Sequence, residues 1–348
     1  MTSRAERARR YAGRSPQRPR GRTFDRVGVA AGHAGAGAIT PYLLVKVVWV
    51  LAAWVAPLRR ALDGVVPSDV GEPKYVLLNL VTIVMASVAI TLCLALARPW
   101  GARIPGGLIA FGAWIGAGFL VSMLPFVVLS SALDVAGGGE PSNASSMPAW
   151  EGDLIQLSFG AFGLCLAVAL PAYVRRRWPA LGLARSAGGS GARASVGRAV
   201  LWPVLLAGAT ATVWSYWAAG GSAGLGEVAD TTGRLLMGIL AAWALVAVAI
   251  AARARVRPVG PGAAGAAFVA TGALVAWCAW RLPFVALAAV HRPASDGGLP
   301  ATLGAFAATQ VAGLIAGLAI AQSMRGRHDG PRRGPRTLAR PAPARRWR

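Results

Sequence analysis

The chain has 348 residues, 55% of them hydrophobic and only 14% charged, with a mean hydropathy of +0.52. A soluble domain carries about a quarter charged residues, so a water-soluble globular fold is excluded and an all-α polytopic membrane protein is expected. The formal net charge of +23 would suit a nucleic-acid binder, but its placement along the chain assigns it to membrane topology, and no nucleic-acid partner is expected.

Residues 1–38 hold nine Arg and read as a disordered basic tail. The first apolar run, 39–58, comes too late and is too long for a cleaved signal peptide. Thr40-Pro41 reads as its cap and first helical position, which sets Lys46 about 8 Å into the helix at ~1.5 Å rise per residue. Further apolar runs of spanning length follow at 75–97, 107–133 and 153–174. Together these make a first four-helix unit over 39–174. A low-complexity cytoplasmic linker occupies 175–198. Runs at 199–219, 235–252, 264–290 and 300–322 make a second four-helix unit over 199–322. Residues 323–348 read as a second disordered basic tail. The expectation is eight transmembrane helices.

Lys and Arg collect on the cytoplasmic side of membrane proteins. Taking the loops alternately, the two tails and the loops at 98–106, 175–198 and 253–263 hold 29 Lys and Arg, against five on the other side. Ten of the thirteen acids lie on that second side, and all thirteen fall outside the expected span cores. Both termini are therefore expected in the cytoplasm of a cell carrying the protein in its plasma membrane. The basic tails are placed to meet anionic lipid headgroups, at about 1 kcal/mol per charge near the surface.

Residues 123–129 read MLPFVVL and residues 281–287 read RLPFVAL, with the shared LPFV displaced by 158 positions. Each copy falls in the third span of its unit, and ALARPWG (95–101) matches ARVRPVG (254–260) on the loop before it. These matches predict two tandem four-helix units. Pro125 and Pro283 each remove a backbone donor and crowd the carbonyl four residues earlier. Paired helix breaks at corresponding positions of two repeats point to a transport site, so both prolines are expected to kink their helices.

Small-residue pairs at i, i+4 let helices approach closely, and Gly112 with Gly116 and Gly313 with Gly317 have that spacing. Trp150, Trp178, Trp202 and Trp217 lie near span ends, as interfacial anchors do. Cys93, Cys165 and Cys278 sit inside apolar runs and read as packing residues. Asn143-Ala144-Ser145 matches a glycosylation acceptor on a loop. The three histidines lie outside the spans, and no phosphate-binding Gly-x-x-x-x-Gly-Lys-Ser/Thr loop occurs. No enzyme activity, metal or cofactor is expected.

The stretch Pro41-Tyr42-Leu43-Leu44-Val45-Lys46-Val47-Val48-Trp49 resembles the opening helix of uncharacterised multi-pass membrane proteins of GC-rich bacteria. The stretch from Arg103-Ile104-Pro105 to Trp114-Ile115-Gly116-Ala117-Gly118 is similar to a later segment of the same group. The resemblance implies a polytopic fold, and that Lys46 and Trp49 belong to a recurrent pattern; it brings no activity with it.

Arg281 stands beside the second proline, nine residues from the outer end of its span. Gln310 stands ten residues into the next, antiparallel span, at matching depth. A charge at bilayer centre costs roughly 2.5–3.5 kcal/mol on insertion scales. Lys46, Arg281 and Gln310 are therefore expected to mark a polar cavity suited to an anionic group. The function expected is a permease-like protein that binds or moves a small anionic or amphiphilic molecule. The alternative is a non-transporting scaffold or regulatory subunit with a membrane-protein partner.

Overall fold

The computed structural model describes residues 19–67, 70–135, 149–178, 201–225, 228–257, 259–290 and 301–325. The basic segments 1–18 and 326–348, most of the linker, and Asn143 lie outside the described residues. Among those described every regular element is helical: α1 (Pro19–Trp54), α2 (Ala56–Ala61), α3 (Pro73–Ala97), α4 (Gly106–Gly116), α5 (Leu124–Val135), α6 (Ala149–Arg177), α7 (Leu201–Ala218), α8 (Thr231–Val256), α9 (Pro261–Val290) and α10 (Ala301–Arg325). Seven segments among the described residues are long and apolar enough to cross a membrane, with α4 and α5 together forming one of them. The run expected at 199–219 coincides with α7, whose 18 residues include three Trp, a Tyr, a Pro and three hydroxyl side chains. That composition leaves α7 outside the seven.

The first helix corrects the sequence reading. It begins at Pro19, and Pro41 lies inside it instead of opening it. The Thr40 hydroxyl donates to the Ala36 carbonyl at 2.8 Å, a bond within the helix, so it caps nothing. The expected disordered tail therefore does not extend over 19–38. That stretch is rich in Ala and Gly, and its small side chains hold α1 against its neighbours. A Cβ placed on Gly28 would stand 2.1 Å from Ala172 Cβ, one on Gly32 2.8 Å from Ala97 Cβ, and one on Gly35 2.9 Å from Cys93 Sγ. Helices in lipid associate through such close approaches, because lipid tails are as apolar as the helix surface.

In the first unit α1 packs between α3 and α6, around a core that includes Ile39, Tyr42, Phe162 and Leu166. In the second, α7 packs between α8 and α10, around Trp214, Trp217, Leu240, Leu274 and Ile320. The span made of α4 and α5 meets α9. A Cβ on Gly118 would fall 2.0 Å from the Gly272 carbonyl carbon, and Phe119 stacks on Trp277 at 4.2 Å with the rings 5° from parallel. Trp114 Nε1 donates to Thr271 Oγ1 at 3.1 Å, and Trp243 Nε1 to the Ser122 carbonyl at 3.0 Å.

The two prolines behave differently. In the first unit the span is interrupted by a π-turn over Ala117–Val121, and Pro125 is the second residue of the new helix α5. Ser122 fills the gap: its hydroxyl donates to the Gly118 carbonyl and accepts from Trp277 Nε1 at 3.3 Å. Pro283 lies within an unbroken α9. The expected glycine pairs also separate. A Cβ placed on Gly313 would stand 2.5 Å from Cys278 Sγ, and one on Gly317 2.8 Å from Val275 Cγ2, so both mark close approaches. A Cβ on Gly112 or Gly116 would meet only side chains of Leu92 and Leu166, at 3.4 Å or more, so they join no helices closely.

One end of the first unit collects arginines. Arg175 pairs with Asp25 at 2.8 Å, Arg98 donates to His33 at 3.0 Å, and Arg177 donates to the Gly101 and Ile104 carbonyls at 2.8 and 2.7 Å. This gathers the start of α1, the end of α3 and the end of α6. The last turn of α8 carries Arg253 and Arg255. The third spans run parallel where they meet, as Trp114 on Thr271 and Ser122 on Trp277 require, so the basic ends of both units lie on the same side.

Candidate functional site

Lys46 and Arg281 sit in different units and meet different fates. Because α1 begins at Pro19, Lys46 lies eight residues before its far end, opposite the arginine cluster, and not near the basic end as the sequence suggested. Its Nζ stands 2.7 Å from Glu151 Oε1, with side-chain exposures of 8% and 0%. The sequence placed every carboxylate outside the span cores and foresaw no counterion for either cation. That expectation fails at Glu151, which is drawn inside by its position in the first turn of α6. There it also meets the positive end of the helix dipole. Trp49 lies under the ammonium at 4.3 Å to its ring centroid, and Tyr42 at 5.5 Å. Trp150 and Tyr75 stand beside Trp49 at 6.2 and 6.1 Å. Lys46 is therefore neutralised and covered, while Glu151 Oε2 stays buried without a partner.

Among the described residues Arg281 has no such counterion. It projects from α9 into the second unit, where its Nη2 reaches Met237 Sδ at 3.7 Å, a weak acceptor. The guanidinium carbon is 5.9 Å from the ring centroids of both Trp214 and Trp277. Its Nη1 is buried and unpartnered.

Gln310 enters from α10. Phe306, one turn earlier, packs on Trp217 of α7 at 5.6 Å, and Gly313, one turn later, lies against Thr210 of α7 and Cys278 of α9. Antiparallel packing with those contacts sets Gln310 between Trp217 and Thr210, at the level of Trp214. Arg281, itself beside Trp214 and one turn from Cys278, shares that level. Gln310 is 0% exposed and both of its amide atoms lack a partner; Trp214 is 1% exposed and its Nε1 is also orphaned. Four of the five buried unpartnered side-chain atoms among the described residues thus belong to Arg281, Gln310 and Trp214.

Such a concentration is unusual, since buried polar atoms are nearly always satisfied and each orphan costs about 1–3 kcal/mol. In hydrocarbon no water substitutes. Sequence reasoning found Arg281 and Gln310 from their depth; it missed Trp214, whose ring reads as core, and Glu151, whose position at a span edge hid its burial. The expected interfacial role of Trp217 also fails, because it is 1% exposed and donates to the Ala223 carbonyl at 2.8 Å. Trp150 and Trp202 are exposed near the starts of α6 and α7, and Trp178 is half-buried against Tyr173.

Cys93 and Cys278 are buried and Cys165 is half-buried, all as free thiols. No group of three or more His, Cys, Asp or Glu converges on a metal-sized site among the described residues. A groove of about 400 Å³ runs between α3 and α4, lined by Val84, Val88, Leu92 and Leu108. It is almost wholly apolar and faces outward, so it is no counterpart of the polar cluster in the second unit. Comparison with protein-family models, curated proteins and solved structures finds no match for this chain.

Proposed function

We propose that the chain is a permease-like membrane protein of eight spans that binds, and moves, a small anion at Arg281. The observation that carries this reading is the set of orphaned buried polar atoms, Arg281 Nη1, Trp214 Nε1 and both amide atoms of Gln310, at one level of the packed helices. Arg281 lies nine residues from the end of α9 and Gln310 nine residues from the start of α10, each about 14 Å from its helix end at ~1.5 Å per residue. Ionisable groups at that depth mark substrate or ion pathways. An anion there would neutralise the guanidinium and accept from Trp214 Nε1 and the Gln310 amide.

The tandem-unit reading supports a transporter architecture. Displaced by 158 positions, Pro73–Ala97 runs over 231–255, against Thr231–Val256 for α8. Under the same displacement Phe119 corresponds to Trp277, and these two stack face to face. Self-equivalent residues meet in this way across a two-fold axis. Parallel repeats related by an axis along the membrane normal are one known transporter plan. On this reading α7 is the eighth span, and both termini are cytoplasmic.

A scaffold role is the second reading. The observation favouring it is the internally neutralised Lys46–Glu151 pair, which leaves the first unit with no free cation at depth among the described residues.

Titration of the purified chain in lipid nanodiscs with chloride, acetate and phosphate, read by tryptophan fluorescence, tests the anion site. A saturable response to at least one of these that disappears in Arg281→Met is expected. No saturable response, or one retained in Arg281→Met, would remove the site and leave the scaffold reading.

A further inference from the structure

The orphaned atoms specify more than a negative charge. We infer that the Arg281 site takes a small hydroxy-monocarboxylate, a short-chain acid with one carboxylate and a neighbouring hydroxyl. The inference rests on the anion reading proposed above and narrows it to one substrate class.

The charge sets the first condition. Arg281 is the one cation placed in the interior of the second unit among the described residues. The described carboxylate of that unit, Asp230, is the cap of α8 and accepts from Gly233 N at 2.8 Å, away from the guanidinium. A monoanion makes the site neutral. A dianion such as sulfate leaves one uncompensated negative charge in a low-dielectric interior, and a zwitterion leaves the arginine's charge uncompensated; both cost several kcal/mol.

The inventory of free groups sets the second condition. Arg281 Nη1 and Trp214 Nε1 are donors without acceptors, and a carboxylate presents two oxygens with about four lone-pair sites. Gln310 leaves both Nε2 and Oε1 free. Whichever way the amide is turned, it offers N–H donors on one arm and an acceptor oxygen on the other. A carboxylate alone cannot satisfy the acceptor, because it has no proton to give. A hydroxyl satisfies both halves, accepting from the amide nitrogen and donating to the amide oxygen. The other neighbours of the guanidinium, Trp277, Met237 and the Trp214 ring, are apolar and suit a short carbon chain.

The discriminating step is the hydroxyl. A site built to hydrogen-bond a substrate hydroxyl rejects the analogue lacking it, because its own polar groups are then left unpaired. Equilibrium binding of radiolabelled lactate to the full chain in nanodiscs, competed with unlabelled lactate, propionate, alanine and sulfate, reads this directly. Lactate should compete about tenfold or more better than propionate, with alanine and sulfate weaker still. In Gln310→Leu the lactate-to-propionate ratio should fall to about one while propionate competes as before, with a thermal melt confirming that the variant is folded. Equal competition by lactate and propionate in the native chain overturns the hydroxyl assignment. Sulfate or alanine competing as well as lactate overturns the charge assignment. Absence of lactate binding, with acetate or phosphate still giving an Arg281-dependent fluorescence response, overturns the substrate class and leaves the anion site standing; loss of both responses overturns the two together.

Discussion

Lys46 and Glu151 show how a single pairing changes the meaning of a charge. Removing one partner of a buried ion pair leaves the other uncompensated, which costs about 3–5 kcal/mol, whereas replacing both by apolar residues of similar volume is often neutral or stabilising by ~1–4 kcal/mol. The pair is covered, at 8% and 0% side-chain exposure, so it falls in that class. Lys46→Met and Glu151→Leu should each lower the unfolding free energy in detergent–SDS titrations by about 3–5 kcal/mol. The double variant should recover most of that loss. Equal or additive losses in the double variant would show that the two side chains are held by other contacts. Arg281 has no partner to be exchanged in this way, and that difference separates a structural pair from a candidate site.

Among the elements, the α4–α5 span and α9 decide how the N-terminal and C-terminal helices meet. Gly118 and Gly272 bring backbone against backbone, so no side chain can move aside for an added Cβ. Gly272→Val should therefore separate α9 from the π-turn and lower the detergent melting temperature, as overpacking does at ~1–3 kcal/mol or more. Gly112→Ala should leave that temperature unchanged within error, since its added Cβ would meet nothing nearer than a Leu92 methyl at 3.8 Å. The sequence pointed to the wrong pair here because the i, i+4 pattern records small residues and not which faces meet. The same limit applies to the prolines. LPFV occurs twice, yet one copy restarts a helix after a π-turn and the other lies in an unbroken one. Ser122, bonded to Trp243 and Trp277 from the other unit, stabilises the break in the first copy. The corresponding position in α9 is Trp280, which has no hydroxyl to do so.

At the scale of the whole molecule, the proposed topology places all the arginine-rich ends together. A phosphatase reporter fused after Arg325 should be inactive and a cytoplasmic fluorescent reporter at the same place should fluoresce; the reverse pattern would overturn the cytoplasmic C-terminus. A reporter in the linker at 185–198, before α7, and one at 226–227, between α7 and α8, should behave oppositely if α7 spans the membrane. Matching behaviour at those two places would mean that α7 does not cross.

Composition and periodic apolar length were enough to determine that the chain is helical and built from membrane-length segments, because each span must bury its own backbone hydrogen bonds whatever it packs against. The depth of Arg281 and Gln310 was legible for the same reason, since rise per residue is fixed. Everything that depends on which faces meet was decided only by the tertiary structure. The start of α1 at Pro19 required the close approaches of Gly28, Gly32 and Gly35 to α3 and α6. The ion pair required α6 to bring Glu151 to Lys46, 105 positions away. The orphaned indole of Trp214 became part of the site only when α9 and α10 set Arg281 and Gln310 at its level. A sequence fixes how deep a residue lies along its own helix, but packing chooses the neighbours at that depth, and a charge is structural or available according to those neighbours.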